Sequence, residues 1–200
     1  REKYFEINTE LTRRMAGEAK ENGVKHFVFY STVAVYGTHG SIDKELVLNK
    51  NSKVNPNTPY GESKWRAEEM LRKLENENFK VSILRPPMVY GENCPGNMKI
   101  LENVVKIFPI LPFGNNKNKR TLVHINKLLE ETKKIIDEEI KGINIPRDDK
   151  DVSIREIVEN IAKKYNKKVF LFKMPEFLIL LFKKIKAREI ESIYGDLRFE

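Results

Sequence analysis

Two short apolar runs, His26 to Tyr30 and Val81 to Arg85, each follow an amphipathic helical stretch. This repeat of helix then buried strand constrains the fold more than any other feature. The runs are too brief for helices and are bounded by turn residues, Ser31 and Thr32 after the first and Pro86 and Pro87 after the second. Ahead of the first, Leu11, Met15 and Ala19 recur at every fourth position, with Thr9 as the expected cap and Gly23, after Asn22, closing the helix. Ahead of the second, beyond Pro59, Ala67, Met70, Leu71 and Leu74 form an i, i+3, i+4, i+7 stripe. Between them, residues 37 to 59 are polar and rich in Gly, Asn and Pro, a long loop with a short turn at Asp43 to Leu48. Helix, strand, loop, helix, strand is the alternation of a parallel α/β sheet.

After Tyr90 the pattern changes. A loop holds Cys94, Pro95 and Gly96, and a helix is expected around Met98 to Ile107. Beyond the Pro/Gly/Asn-rich stretch Pro109 to Asn118 come a strand, Thr121 to Ile125, and a helix, Lys127 to Glu139. Ser153 and Glu156 form a capping box ahead of Ile157, Val158, Ile161 and Ala162. The second half therefore reads as a smaller mixed lobe beside the sheet. Its longest apolar run, Phe177 to Phe182, is six residues, where a membrane span needs about 20. Leu178, Leu181, Phe182 and Ile185 share one face, which is expected to pack into that lobe or a partner subunit rather than on a membrane.

At 200 residues and 40% hydrophobic content the chain can bury a sizeable core, which excludes disorder. The net charge of +8 divides into an excess of 3 in residues 1–100 (16 basic, 13 acidic) and 5 in residues 101–200 (21 basic, 16 acidic). It reads as spread along the chain, and without a concentrated basic stripe nucleic acid is not expected as a partner. One cysteine and three scattered histidines leave no disulfide framework and no metal-ligand spacing, so no metal site is expected. The reading is a soluble, cytoplasmic protein.

The chemistry concentrates at three places. Tyr60 and Lys64 lie four residues apart at the start of the second helix, so both project from one face about 6 Å apart along the axis. A lysine cation beside a phenol favours the phenolate and brings it into acid/base range. Ser31-Thr32-Val33-Ala34-Val35-Tyr36-Gly37 places hydroxyls where a parallel strand opens into a loop, the edge at which open α/β sheets bind ligands. The third stretch is Leu84-Arg85-Pro86-Pro87-Met88-Val89-Tyr90-Gly91.

Taken with Tyr60-Gly61-Glu62-Ser63-Lys64, these motifs make the chain resemble the extended short-chain dehydrogenases/reductases, in particular the NAD-dependent nucleotide-sugar epimerase/dehydratase group of the UDP-glucose 4-epimerase type, from Asn8 through Gly195. The resemblance implies a Rossmann-like parallel sheet and a smaller mixed substrate lobe, divided as residues 1–92 and 93–200, with the strand region 119–126 near the nucleotide sugar. It implies NAD as cofactor, with NADP open, a UDP-sugar substrate, and room for a homodimer. Thr32, Tyr60 and Lys64 are the implied catalytic set: Thr32 bonds the sugar oxygen being oxidised, Tyr60 is the base, and Lys64 holds the nicotinamide ribose and tunes the tyrosine. Asn8, Ser31 and Pro87 join Tyr60 and Lys64 at the cofactor, while Asn97 and Arg120 fall where relatives grip the nucleotide diphosphate.

Some positions depart from the pattern. No glycine-rich loop is present, since the only close pair, Gly37 and Gly40, lies in the wrong context. The expectation is that the chain lacks the first part of its dinucleotide fold, consistent with Arg1 as its first residue. Met88 stands where relatives often have asparagine, and Asn126 or Lys127 where they have aspartate. Val33 and Ala34 replace the acidic residues that sugar dehydratases carry after the threonine, which disfavours dehydration. The expected activity is a 4-epimerase acting by transient C4 oxidation in surface polysaccharide synthesis. A UDP-4-keto-sugar 4-reductase and a non-catalytic nucleotide-binding protein are the alternatives.

Overall fold

A computed structural model describes residues 2–37, 39–92, 94 and 96–200. Helical geometry begins upstream of the expected start, because α1 (Glu2–Phe5) continues through a π-helical stretch, Glu6–Leu11, into α2 (Thr12–Glu21). Thr9 is therefore not a cap. It is buried within the helix, and its hydroxyl donates to the Ser63 carbonyl at 2.8 Å. The helix ends as expected: Gly23 takes φ +78°, its N–H reaches the Lys20 carbonyl, and the Val24 N–H reaches that of Ala19.

β1 (His26–Tyr30) follows, then a 3₁₀ turn at Val33–Tyr36 and, within the long loop, β2 (Val47–Leu48). α3 (Pro59–Leu74) starts where its local chemistry directs: the Thr58 hydroxyl accepts the Gly61 N–H at 3.1 Å, and Pro59 fills a first-turn position whose amide needs no partner. β3 (Lys80–Leu84) pairs in parallel with β1, from His26 opposite Lys80 to Tyr30 opposite Leu84. Ala16, Phe29, Ala67, Leu71, Phe79, Val81 and Ile83 form the core between these helices and strands. The apolar stripe of α3 is thus what fixes the helix against the sheet, and with it the direction of Tyr60 and Lys64.

The second half contains β4 (Met88–Tyr90), α4 (Asn97–Ile107), β5 (Ile110–Leu111), β6 (Leu122–His124), α5 (Ile125–Asp137), β7 (Gly142–Asn144), α6 (Ile154–Lys164), β8 (Phe170–Leu171), α7 (Glu176–Ile185), α8 (Ala187–Tyr194) and β9 (Arg198–Phe199). β4 pairs with β6, β5 with β8 and β2 with β9, all in parallel. The 37–59 loop is therefore tied to the last strand of the chain. β7 joins β3, giving the order β1-β3-β7, so the parallel sheet takes a strand from residues 142–144, inside the segment read as the second lobe. The capping box of α6 forms as expected, Ser153 Oγ accepting the Glu156 N–H at 3.1 Å and the Glu156 carboxylate accepting the Ser153 N–H at 2.7 Å.

The fold is α/β with parallel strands throughout its named pairs. Of the two packings expected for the apolar face of α7, the one into the lobe is made only in part. In α7, Ile179 is buried and Leu178 half-buried, but Phe177, Leu180, Leu181 and Ile185 are 68%, 51%, 50% and 72% exposed. The helix turns its Ile179 side inward, so Leu181 and Ile185 do not pack into the lobe. Among the described residues no helix is long and apolar enough to cross a membrane.

Candidate active site

Close approach of α3 to the 3₁₀ turn builds the site. Gly61 makes that approach feasible: a Cβ there would stand 2.5 Å from the Ala34 carbonyl oxygen. Thr32 caps the turn, its Oγ1 accepting the Ala34 N–H at 3.1 Å, while the Val33 N–H donates to the Pro86 carbonyl at 3.2 Å. Pro87, beside it, is buried. Thr32 is thereby set near the Tyr60 phenol, close enough to act on its proton.

Burial pushes the Tyr60 phenol above its ordinary value of 10.0, the Thr32 hydrogen bond works in the opposite direction, and the Tyr4 phenol adds to the rise. The Tyr4 ring packs edge-on against Tyr60 at 6.0 Å between centroids. Lys64 donates from Nζ to the Tyr30 carbonyl at 2.8 Å, at the carboxyl end of β1, and sits 4.6 Å from the Phe29 ring centroid. Burial lowers its ammonium from the usual 10.5, with Glu68 pulling it back. The lowering of the phenol that sequence spacing anticipates from Lys64 is absent here, because the ammonium is turned to the strand end. That ammonium has three N–H donors and, among the described residues, is seen to spend one, on Tyr30.

Asn8 lies in the π-helical stretch, a distortion frequent at functional sites. Its Nδ2 donates to Ser63 Oγ at 3.0 Å, and Ser63 Oγ donates to the Tyr60 carbonyl at 2.8 Å, which links the first helix to the tyrosine's backbone. Ser31 is differently engaged. Buried, it donates its hydroxyl to Glu68 Oε1 at 2.5 Å.

Glu68 is the residue the sequence reading missed. It is fully buried and holds Arg85 in a two-pronged ion pair, Nε to Oε1 at 2.9 Å and Nη2 to Oε2 at 2.5 Å. Arg85 also donates to the Tyr36 hydroxyl at 2.5 Å. Burial works against the Arg85 charge, but its bonds to Glu68 and Tyr36 outweigh it and raise its value. Ser31, Glu68, Arg85 and Tyr36 thus form one network under the strand end that carries Thr32. The signal was present in part, since Glu68 follows Tyr60 and Lys64 at the next i+4 position.

The two remaining residues lie in the second lobe. Asn97 opens α4 and is exposed, beside Met98, which lines a cavity of ≈ 590 Å³ with Tyr90, Leu122, His124 and Asp148. There burial, the hydrogen bond to Asp148 and the Asp148 charge push the Tyr90 phenol to about 12. Arg120 is half-buried, and its Nη2 donates to the Glu191 and Ser192 carbonyls at 3.0 and 2.5 Å, in the last turn of α8. Burial pushes its guanidinium down to about 10 against the pull of Asp196, and its buried Nε has no partner among the described residues. Among the described residues no group of three or more His, Cys, Asp or Glu could hold a metal.

The Tyr60 phenol beside the Thr32 hydroxyl, with an ammonium one helical turn on, at the carboxyl edge of a parallel α/β sheet, matches the arrangement that the resemblance to the short-chain dehydrogenases/reductases implies. The chain belongs to the NAD dependent epimerase/dehydratase family, whose model matches residues 1–145. It is similar to the UDP-glucose 4-epimerase of Vibrio cholerae, 32% identical over 98% of this chain and 61% of that protein. It is also similar to the N-acetyl-alpha-D-glucosaminyl-diphospho-ditrans,octacis-undecaprenol 4-epimerase of Escherichia coli O157:H7, 28% identical over 86% of this chain and 52% of that protein. The chain thus spans between half and two thirds of the length of these relatives. Among solved structures, a dTDP-4-dehydrorhamnose reductase from Clostridium acetobutylicum matches at a TM-score of 0.70 and 22% identity, covering 86% of this chain and 59% of that one. The UDP-Glc/GlcNAc 4-epimerase of Campylobacter jejuni matches at 0.69 and 23%, with the same coverage of 86% and 59%. At these identities the structural matches establish the fold.

Proposed function

We propose that the protein is a nucleotide-sugar 4-epimerase of the UDP-glucose/UDP-galactose type, acting by transient oxidation at C4 in the cytoplasm, in service of surface polysaccharide synthesis. The observation that carries this reading is the placing of Thr32, Tyr60 and Lys64 together at the strand end, where α3 meets the 3₁₀ turn. Similarity to the Vibrio cholerae and Escherichia coli 4-epimerases supports it. So does the 3₁₀ turn, where Val33 and Ala34 offer no acid for eliminating water.

In this reading the Thr32 hydroxyl holds the sugar's C4 oxygen, and the Tyr60 oxygen takes the proton of that hydroxyl and later returns it. A bound oxidised nicotinamide dinucleotide supplies the hydride acceptor and a positive charge that favours the phenolate. The residues fit its ribose end: the Lys64 ammonium suits ribose hydroxyls, with Asn8 bracing the helix and Pro87 walling the cleft. Ser31 acts through Glu68, by fixing the strand end, rather than by donating to the cofactor. Asn97 and Arg120 are assigned to the nucleotide diphosphate. Arg120 must first leave the α8 carbonyls, and its Nε, without a partner among the described residues, marks it as incompletely satisfied where it stands. Residues 1–92 with β7 form the dinucleotide side, and most of 93–200 the sugar side.

The test is a panel of UDP-sugars incubated with the protein and followed by NMR. Conversion of UDP-glucose to UDP-galactose, or of their N-acetyl counterparts, without net consumption of nicotinamide supports the reading. Stoichiometric use of NADPH with a 4-keto sugar and no interconversion would replace it with a ketoreductase.

A further inference from the structure

Division of the charge into halves conceals where it lies. Residues 163–188 hold nine Lys or Arg and one acid, Glu176, whereas the other 174 residues hold 28 basic and 28 acidic side chains. The whole net charge of the chain therefore sits in one stretch of 26 residues, formed by the end of α6, β8, α7 and the start of α8. Its cations are mostly uncommitted. Lys164 pairs with Glu102, Lys183 with Asp43 and Glu191, and Lys167 donates to a backbone carbonyl. Lys163, Lys168, Lys173, Lys184, Lys186 and Arg188 are exposed and form no ion pair among the described residues.

The same stretch presents its apolar side outward. Phe177, Leu180, Leu181 and Ile185 follow the spacing i, i+3, i+4, i+8 on the solvent face of α7, with Lys184 between them and Lys186 just beyond. Upstream, the register partners Ile110 and Phe170 of the β5–β8 pair are 58% and 66% exposed. These are large apolar side chains exposed at helical spacing and ringed by lysines that form no ion pair among the described residues. They match a surface that is apolar below and anionic above, which is the cross-section of a bilayer interface.

We propose that α7 and its flanking lysines dock the protein on an anionic phospholipid membrane, the apolar face entering the headgroup boundary and the lysines pairing with lipid phosphates. This goes beyond the catalytic reading and stands apart from it, since none of these residues belongs to the Thr32, Tyr60 and Lys64 site. No helix needs to cross the bilayer, which agrees with the absence of a spanning helix among the described residues.

The experiment is co-sedimentation of the full-length protein with vesicles of phosphatidylcholine alone and of phosphatidylcholine mixed with phosphatidylglycerol, alongside analytical ultracentrifugation without lipid. The expected result is binding to the anionic vesicles only, weakening as salt rises from roughly 0.1 M to roughly 0.5 M. Lys184→Gln with Lys186→Gln should lower the partition coefficient by about 25-fold, at roughly fivefold per lysine. Phe177→Ser with Leu181→Ser should lower it by roughly tenfold or more, with an unchanged circular dichroism spectrum because both side chains face solvent. Absence of binding to anionic vesicles, or binding that both double variants retain, would overturn the proposal. So would a dimer in the lipid-free protein that Phe177→Ser with Leu181→Ser dissociates, because the face would then belong to a second copy of the chain.

Discussion

Glu68 shows how much of the site rests on a residue that touches no reactant. Its buried carboxylate takes bonds from Ser31, Arg85 and the partly exposed Arg72, so removing the charge strands the buried Arg85 guanidinium. Glu68→Gln should cost about 3–5 kcal/mol in denaturant unfolding, whereas pairing Glu68→Leu with Arg85→Met should cost less than either single change. Tyr60 and Lys64 could be read from sequence because one helix holds both. Arg85 arrives from β3 and Ser31 from β1, so their meeting at Glu68 depends on packing that no local spacing encodes. The same limit explains Lys64, whose spacing sets its face on the helix but not its preference for the Tyr30 carbonyl. Tyr60 carries its own pH signature. Its value is raised on folding, so its contribution to stability is whole below pH 10 and is lost as pH climbs through the folded value. In cofactor-free protein, the tyrosinate absorbance that Tyr60→Phe removes should therefore appear above pH 10, and its appearance near neutrality would contradict the burial argument.

Among the elements, those long enough to show a period were legible: β1, α3, β3, α4, α5 and α6 all form close to where the apolar pattern put them. Of the strands of two or three residues, β6 was read within Thr121 to Ile125, but β2, β4, β5, β7, β8 and β9 were not. So short a run has no alternation to detect and exists only because a partner strand passes beside it. Gly61 belongs to the junction between elements. Gly61→Ala should push α3 off the 3₁₀ turn, costing roughly 1–3 kcal/mol in thermal unfolding and lowering kcat by more than that loss of folded protein explains, because Thr32 and Tyr60 part. The cap of α6 makes a separate prediction. The Ser153 backbone and hydroxyl bonds hold the Glu156 carboxyl below its ordinary 4.5, so its contribution is complete above that pH and is lost as pH falls through the folded value. Glu156→Gln should flatten that part of the acid unfolding curve, and Ser153→Ala should cost about 1 kcal/mol at neutral pH.

At the scale of the molecule, two surfaces differ in chemistry. The carboxyl edge of β1 and β3 gathers the polar groups of the cleft, and the α7 side gathers the charge and the exposed apolar residues. The first was visible in the sequence as three ordered motifs. The second was masked by counting charge in halves. The account depends most on the claim that the Tyr60 phenol moves the proton of the substrate hydroxyl. The direct measurement is the rate of UDP-glucose and UDP-galactose interconversion by Tyr60→Phe, compared with the unaltered protein at equal cofactor content and with its unfolding midpoint checked. Loss of kcat by roughly 10²–10⁴-fold, with KM little changed, is the expected result. A variant that keeps kcat within about twofold of the unaltered protein would show that the proton travels by another group.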